Sequence, residues 1–230
     1  MHIVTTDIPA TLVGEAVSKS IAEHDGDVMC LLSGGSALEV VEFIAKPTDK
    51  PECRTIFMMG DERGTGEEEI NNSLQLLKTH PGHYVAKNLI STVPHEDENL
   101  ELFASRISET FSTELSKLQN PKIIQVLGVG SDGHTAGIFP LPEDEFYKVY
   151  PRDLGIVPVR VEGLTIDSRA SFTPDWILRN VDQVLGYAVG VSKSAILESL
   201  KNESKAINER PAEILKLHKD AVVYTDQVVE

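Results

Sequence analysis

The chain of 230 residues carries 36 acidic against 21 basic side chains, a net charge of −15, with 41% hydrophobic and 25% charged residues. That length suits one large α/β domain or two small ones, and the apolar fraction is enough to bury a sizeable core. The acidic surplus argues against nucleic acid or an anionic membrane as partner, and an anionic ligand would need a locally basic pocket.

The two cysteines, Cys30 and Cys53, make neither a CxxC pair nor a disulfide framework. No basic stretch followed by an apolar one opens the chain, and no apolar run approaches the length of a membrane span. The expectation is a soluble protein of the reducing cytoplasm.

His2–Thr5 reads as a short opening strand, and Leu12, Val13, Ala16, Val17 and Ile21 recur at helical spacing between Pro9 and about Glu23. Val28–Leu32 is continuously apolar, as in a strand buried on both faces. Ser33-Gly34-Gly35-Ser36 follows, then a helix over Ala37–Ala45 with Leu38, Val41 and Ile44 on one face. Strand, glycine-rich turn and helix together present free backbone N–H groups, which suit a phosphate; the alternative is an ordinary turn with Ser36 as helix cap. Arg54–Met59 is a second strand running into Gly60-Asp61-Glu62-Arg63-Gly64, read as either a solvated loop or a site.

Asn71-Asn72 starts a helix with Leu74, Leu77 and Leu76 as candidates for its apolar side, and His80-Pro81-Gly82-His83 reads as a surface loop rather than a metal site. Asn99–Leu118 is the longest predicted helix, with Leu102, Ile107, Phe111, Leu115 and Leu118 as its buried stripe. Residues 141–154 read as irregular, either a lid or an inert excursion. Strands are predicted over Gly155–Val161, Ser168–Thr173, Val184–Val189 and Ala221–Thr225. Pro174 opens a helix, Ser192 is a candidate cap for the next, and Pro211–Leu217 is a short one. Six or seven strands alternating with helices predict one domain over residues 1–230, a mostly parallel sheet covered on both faces.

The chemistry concentrates in Gly128–Pro140, which follows the apolar run Ile123, Ile124, Val126, Leu127. Its centre, Asp132-Gly133-His134-Thr135, puts a histidine on a glycine-rich loop at a strand's carboxyl end, where open α/β sheets place their sites. Imidazole titrates near neutral pH and suits general-base work; the alternative is a turn whose histidine bonds a backbone carbonyl. Arg169 and Lys193 come from later segments. Loops after parallel strands share one sheet edge, so these pieces can meet as a phosphate cradle, cations and a base.

Read together, Leu32-Ser33-Gly34-Gly35-Ser36, Gly60-Asp61-Glu62-Arg63 and the whole Gly128–Pro140 stretch resemble the glucosamine-6-phosphate isomerase/6-phosphogluconolactonase family, on its 6-phosphogluconolactonase side. The Arg169 segment, Gly190-Val191-Ser192-Lys193 and Arg210-Pro211-Ala212-Glu213-Ile214-Leu215 agree. The resemblance implies a three-layer α/β/α Rossmann-like fold and hydrolysis of 6-phospho-D-glucono-1,5-lactone to 6-phosphogluconate, a step of the oxidative pentose phosphate pathway. It implies no cofactor or metal, a small phosphorylated sugar lactone as partner, and a monomer or small homo-oligomer. His134 is then the base that activates water, with Asp132 or Asp61 orienting it and Arg63 a candidate for the oxyanion. Gly34, Gly35, Ser36, Arg169 and Lys193 are expected on the phosphate, and Ser33, Asn72, Gly133 and Thr135 as further substrate contacts.

Three places depart from the family pattern: Asn71-Asn72-Ser73 where a Ser-Asn pair is usual, Gly64-Thr65-Gly66 followed by three glutamates, and Gly137-Ile138 in place of Ser-Leu. Two rivals are weighed. A glucosamine-6-phosphate deaminase/isomerase resembles sequences with a glutamate where Phe139 stands and a tyrosine where Arg63 stands. A sugar-phosphate sensor domain of a transcription regulator should carry a helix-turn-helix, whereas this chain opens directly in the α/β pattern.

Overall fold

The computed structural model describes residues 1–48, 50, 52–160, 163 and 167–229. Six strands form a wholly parallel sheet: β1 (His2–Thr5), β2 (Val28–Leu32), β3 (Thr55–Met59), β5 (Lys122–Gly128), β8 (Gln183–Ala188) and β9 (Ala221–Thr225), in the order β1-β9-β8-β5-β2-β3. Every residue of β2 and β3 is buried, which explains their unbroken apolar character. Alternate residues serve opposite faces. Met29 and Leu31 join the core that also buries Ile107, Phe111, Leu197 and Leu215, while Val28, Cys30 and Leu32 join the core of Val13, Val17, Leu38 and Leu76. Helices α1 (Pro9–Glu23), α2 (Asn72–Thr79) and α3 (Tyr84–Lys87) bring side chains to the second core. Helices α4 (Leu100–Ser116), α5 (Glu143–Val149), α6 (Pro174–Asn180), α7 (Ser194–Asn202) and α8 (Ile214–Leu217) bring theirs to the first, giving a sheet between two helical layers.

A second, smaller sheet was not foreseen from the sequence. The charged triplet Asp61–Arg63 is itself a strand, β4, paired antiparallel with β7 (Ser168–Phe172), which pairs antiparallel with β6 (Ile156–Arg160). The strand expected to end at Val161 is described to Arg160, and residue 161 lies outside the described residues. β6 and β7 correspond to predicted strands and β4 does not; the nine described strands exceed the expected six or seven. Burial of Glu62 within this triplet is possible because its carboxylate is fully hydrogen-bonded. Glu62, 1% exposed, accepts from the N–H groups of Arg63, Asn72 and Ser73 and from the hydroxyls of Ser73 and Thr92, all at 2.7–2.9 Å. Burial pushes its carboxyl pKa up, and those donors oppose the shift.

Four further expectations need correction. The segment after β2 is a 3-10 helix, Gly35–Phe43, rather than an α-helix. The spacing 38, 41, 44 has the three-residue repeat of that geometry, which stacks these side chains on one side. In α2 the buried leucine is Leu76, while Leu77 is 38% exposed. In α4 the stripe is Leu100, Phe103, Ala104, Ile107 and Phe111, and Leu102 is 60% exposed. At 3.6 residues per turn, two positions from Leu100 is the opposite side of the helix. Residues 141–154 are not irregular throughout: they contain α5 and bury Phe146 and Tyr150 at 1% exposure each.

Candidate active site

β2 connects outward to β3 on one side and β5 connects to β8 on the other, so the chain changes direction between β2 and β5. At such a switch point the loops that leave the two strands diverge and open a crevice at the strands' carboxyl ends. The crevice is lined by Ser33–Ser36 after β2, Asp61 and Arg63 of β4, Gly128–Gly130, His134 and Ala136 after β5, Arg169 of β7, and Lys193.

The loop after β5 is folded by its own backbone. Gly130 N–H donates to His134 C=O at 2.8 Å, Gly133 N–H to Gly130 C=O at 3.0 Å, and the Thr135 hydroxyl to Gly128 C=O at 2.8 Å. This brings the His134 ring against the backbone of Gly130, where a Cβ would lie 2.1 Å from Nδ1 and cannot be accommodated. Asp132 Oδ1 takes the His134 backbone N–H at 3.1 Å and stands 2.6 Å from Nδ1. The hydrogen bond from His134 holds the Asp132 pKa down at about 2, against partial burial acting the other way. An ionised carboxylate only accepts, so in the neutral imidazole the Nδ1 proton is the one shared and Nε2 is the nitrogen left with a lone pair. The ring also packs on Phe139, centroids 5.0 Å apart.

The antiparallel pairing of β4 with β7 places Arg63 directly opposite Arg169. Like charges in that relation repel. Asp61, 5% exposed, offsets part of this through Arg169 Nη1 at 3.3 Å. Burial lowers the Arg63 pKa, nearby Asp61 opposes this, and the Arg169 charge adds to it. Arg63 is tied by Nη1 to Ile70 C=O at 2.9 Å. The Nε groups of both arginines are buried with no protein partner among the described residues, so each has donor capacity to give an anion. Lys193 forms no ion pair among the described residues.

Of the residues singled out in the sequence, His134, Asp61, Arg63, Gly34, Gly35, Ser36, Arg169 and Lys193 meet in this crevice, and Asp132 stands behind His134. Ser33 reaches it too, but its hydroxyl is spent on Val126 C=O at 2.9 Å and Gly128 N–H at 3.2 Å, tying β2 to β5. Three expected substrate contacts are placed elsewhere. Asn72 is wholly buried, its Nδ2 on Asp61 C=O at 3.0 Å and its Oδ1 packed against Gly34. Thr135 is wholly buried and bonded to Gly128, and Gly133 lies against Arg210 while its carbonyl takes the Ala212 N–H. Neither candidate serine caps a helix: Gly34 holds the cap position of the 3-10 helix, and Ser192 lies inside a 3-10 turn, Val191–Lys193.

The sequence reading missed Tyr150 and Ser171, which hold the loop's far end, because a lone hydroxyl carries no pattern, whether in a segment read as irregular (Tyr150) or within a predicted strand (Ser171). It named Arg210 only within a motif. Arg210 is 2% exposed and bonded to Glu213, Ser199 and the Glu203 carbonyl. Among the described residues, no group of three His, Cys, Asp or Glu side chains is placed to hold a metal ion, and no helix is long and apolar enough to cross a membrane.

A parallel sheet between two helical layers, with His134, Arg63, Arg169 and Lys193 gathered at its switch point, defines the class: a three-layer α/β protein with a cation-bearing crevice at the strands' carboxyl ends. The chain belongs to the glucosamine-6-phosphate isomerases/6-phosphogluconolactonase family, whose model matches residues 7–224. A 6-phosphogluconolactonase of Borreliella burgdorferi is 29% identical over 179 residues, which cover 75% of this chain and 72% of that one. Among solved structures, a 6-phosphogluconolactonase of Shewanella baltica superposes with a TM-score of 0.76 at 20% identity, covering 98% of this chain and 97% of its own. A monomeric glucosamine-6-phosphate deaminase superposes with a TM-score of 0.75 at 16% identity, covering 99% and 98%. At those identities the structural likeness establishes the α/β fold, not the reaction.

Proposed function

We propose that this protein hydrolyses 6-phospho-D-glucono-1,5-lactone to 6-phosphogluconate, with His134 as general base. The observation that carries this is the 2.6 Å contact of His134 Nδ1 with Asp132, in a crevice also lined by Arg63, Arg169 and Lys193. The curated relative's name favours the same side of the family.

In the proposed reaction, Nε2 takes a proton from water as its oxygen bonds to the lactone carbonyl carbon. Asp132 stabilises the imidazolium that results and keeps Nδ1–H pointed away from the substrate. The tetrahedral oxyanion is met by an arginine of the Arg63–Arg169 pair or by a loop N–H. Collapse breaks the bond between carbonyl carbon and ring oxygen, and the imidazolium returns its proton to that oxygen. The open N–H groups of the 3-10 helix start at Gly34, Gly35 and Ser36, together with Lys193, hold the 6-phosphate. Metal ion and cofactor have no part in these steps.

The sister activity, deamination of glucosamine 6-phosphate, is favoured by the structural neighbour of that name. Against it, Phe139 puts an apolar ring, 4% exposed, where the resemblance calls for an acid/base carboxylate. The two substrates presented in parallel separate the readings. Lactone opening above the spontaneous rate, with no ammonia from glucosamine 6-phosphate, is expected; ammonia release without lactone opening would reverse the assignment.

A further inference from the structure

Tyr150 follows α5, is 1% exposed, and sets its hydroxyl between two backbone groups of the His134 loop. The hydroxyl donates to Gly137 C=O at 2.9 Å and accepts from Phe139 N–H at 3.0 Å. On the neighbouring side, Gly137 N–H donates to Ser171 Oγ at 3.1 Å. Backbone groups at 137 and 139 are thus fixed by side chains from outside the loop. The stretch needs it, because Ala136 has a φ of 50°, a left-handed conformation that is strained for an L residue and persists where the surroundings over-determine it.

Phe139 carries the effect to the crevice. Its ring packs on the His134 imidazole at 5.0 Å with the planes 32° apart, and the Arg169 guanidinium carbon lies 5.0 Å from the same ring. Arg169 is held independently by Asp61, whereas the imidazole depends on Asp132 and this ring.

We propose that Tyr150 is a positioning residue: by fixing the Gly137 and Phe139 backbone it sets the Phe139 ring, and through it the angle at which the His134 imidazole faces the crevice. The kinetic consequence rests on the reading of His134 as the base. Tyr150 also packs on Phe146, ring centroids 4.8 Å apart, and phenylalanine would preserve that packing while deleting the hydroxyl. A purely packing role therefore predicts no kinetic defect in Tyr150→Phe.

The test is a double-mutant cycle of Tyr150→Phe and Phe139→Leu, beside wild type and His134→Ala. It uses lactone hydrolysis at a temperature where circular dichroism reports folded protein, and NMR of the His134 ring. Expected are a loss of about ten- to a hundredfold in kcat for each single variant, with KM changed less than kcat. The double variant should be no worse than the poorer single, and the His134 ring resonances should shift in Tyr150→Phe.

A folded Tyr150→Phe with wild-type kcat, or losses that multiply in the double variant, would overturn the proposal. If wild type does not open the lactone, the functional reading fails. The NMR arm still decides the structural claim, since unchanged His134 resonances in Tyr150→Phe refute it. Should Tyr150→Phe not fold, Phe139→Leu with full kcat, or a Phe139 amide that exchanges freely in wild type, refutes it as well.

Discussion

Gly34→Ala should destabilise the protein more than Gly35→Ala, although Gly35 has the unusual backbone. A methyl at Gly34 would lie 1.9 Å from Asn72 Oδ1 and 2.3 Å from its Cγ. Asn72 has no room to withdraw without breaking its Nδ2 bond to Asp61 C=O, and both groups are buried. Leaving them unpaired costs about 1–3 kcal/mol, and overpacking adds about 1–3 kcal/mol, so a loss of about 2–6 kcal/mol is expected. The Gly34 φ of −80° suits alanine, so backbone strain adds nothing. At Gly35, φ is +63° with no atom within 4 Å of a new Cβ, which leaves about 1–2 kcal/mol of left-handed strain. Urea unfolding at equal slopes measures both. Asn72→Ala in the Gly34→Ala background should cost less than the sum of the singles, because the clash is then gone. A Gly34→Ala midpoint at the wild-type value, or a larger loss for Gly35→Ala, would refute the claim that Asn72 closes off this turn.

Asp132→Asn should lower kcat by about 10²–10⁴-fold, by removing the group that fixes the imidazole tautomer; steady-state kinetics with a folded variant check this. Because the folded-state pKa of Asp132 is depressed from 3.8 to about 2, its contribution to stability is present above the unfolded value and is lost as pH falls through about 2. The side chain is 53% exposed, so solvent screens that contribution to about 1 kcal/mol or less. The gap in unfolding midpoint between wild type and Asp132→Asn should therefore close between pH 4 and pH 2 rather than stay constant.

Arg210→Met should cost up to about 3–5 kcal/mol by leaving the buried Glu213 carboxylate with only Lys216 Nζ at 3.5 Å and the Lys205 N–H at 3.2 Å, and Arg210→Met combined with Glu213→Leu should recover part of it in the same unfolding assay. Lys193→Ala should leave stability within about 0.5 kcal/mol while raising KM for the phosphorylated lactone about ten- to a hundredfold. It should not change KM for the unphosphorylated lactone.

The parallel sheet was legible because Val28–Leu32 is apolar throughout, Ile123–Leu127 is apolar but for Gln125, and each is followed by glycine and polar residues. That pattern has little use other than a doubly covered strand and a loop at its end. Asp61–Arg63 was not legible as a strand. Its burial depends on Ser73 and Thr92 bonding Glu62, and on pairing with Arg169, contacts between segments far apart in the chain. The same distance explains why Asp61 and Asp132 were indistinguishable as partners of His134. Asp132 is two residues away and bonded to the ring, whereas Asp61 is committed to Arg169 across the small sheet. Asn72, Gly133 and Thr135 sit in the right motifs but face inward, which a motif does not record. Tyr150 offered neither periodicity nor a neighbouring glycine, and its part follows from two backbone contacts that appear once the loop is folded.

The central claim is that His134 acts as the base on a phosphorylated sugar lactone. It is tested most directly by following proton release from freshly prepared 6-phosphogluconolactone with wild type and His134→Ala at matched folded concentration. Hydrolysis well above the spontaneous rate by wild type, falling by about 10²-fold or more in His134→Ala, is the expected result. Hydrolysis that survives in His134→Ala would remove the base from the mechanism, and a folded wild type that leaves the lactone at its spontaneous rate would remove the function itself.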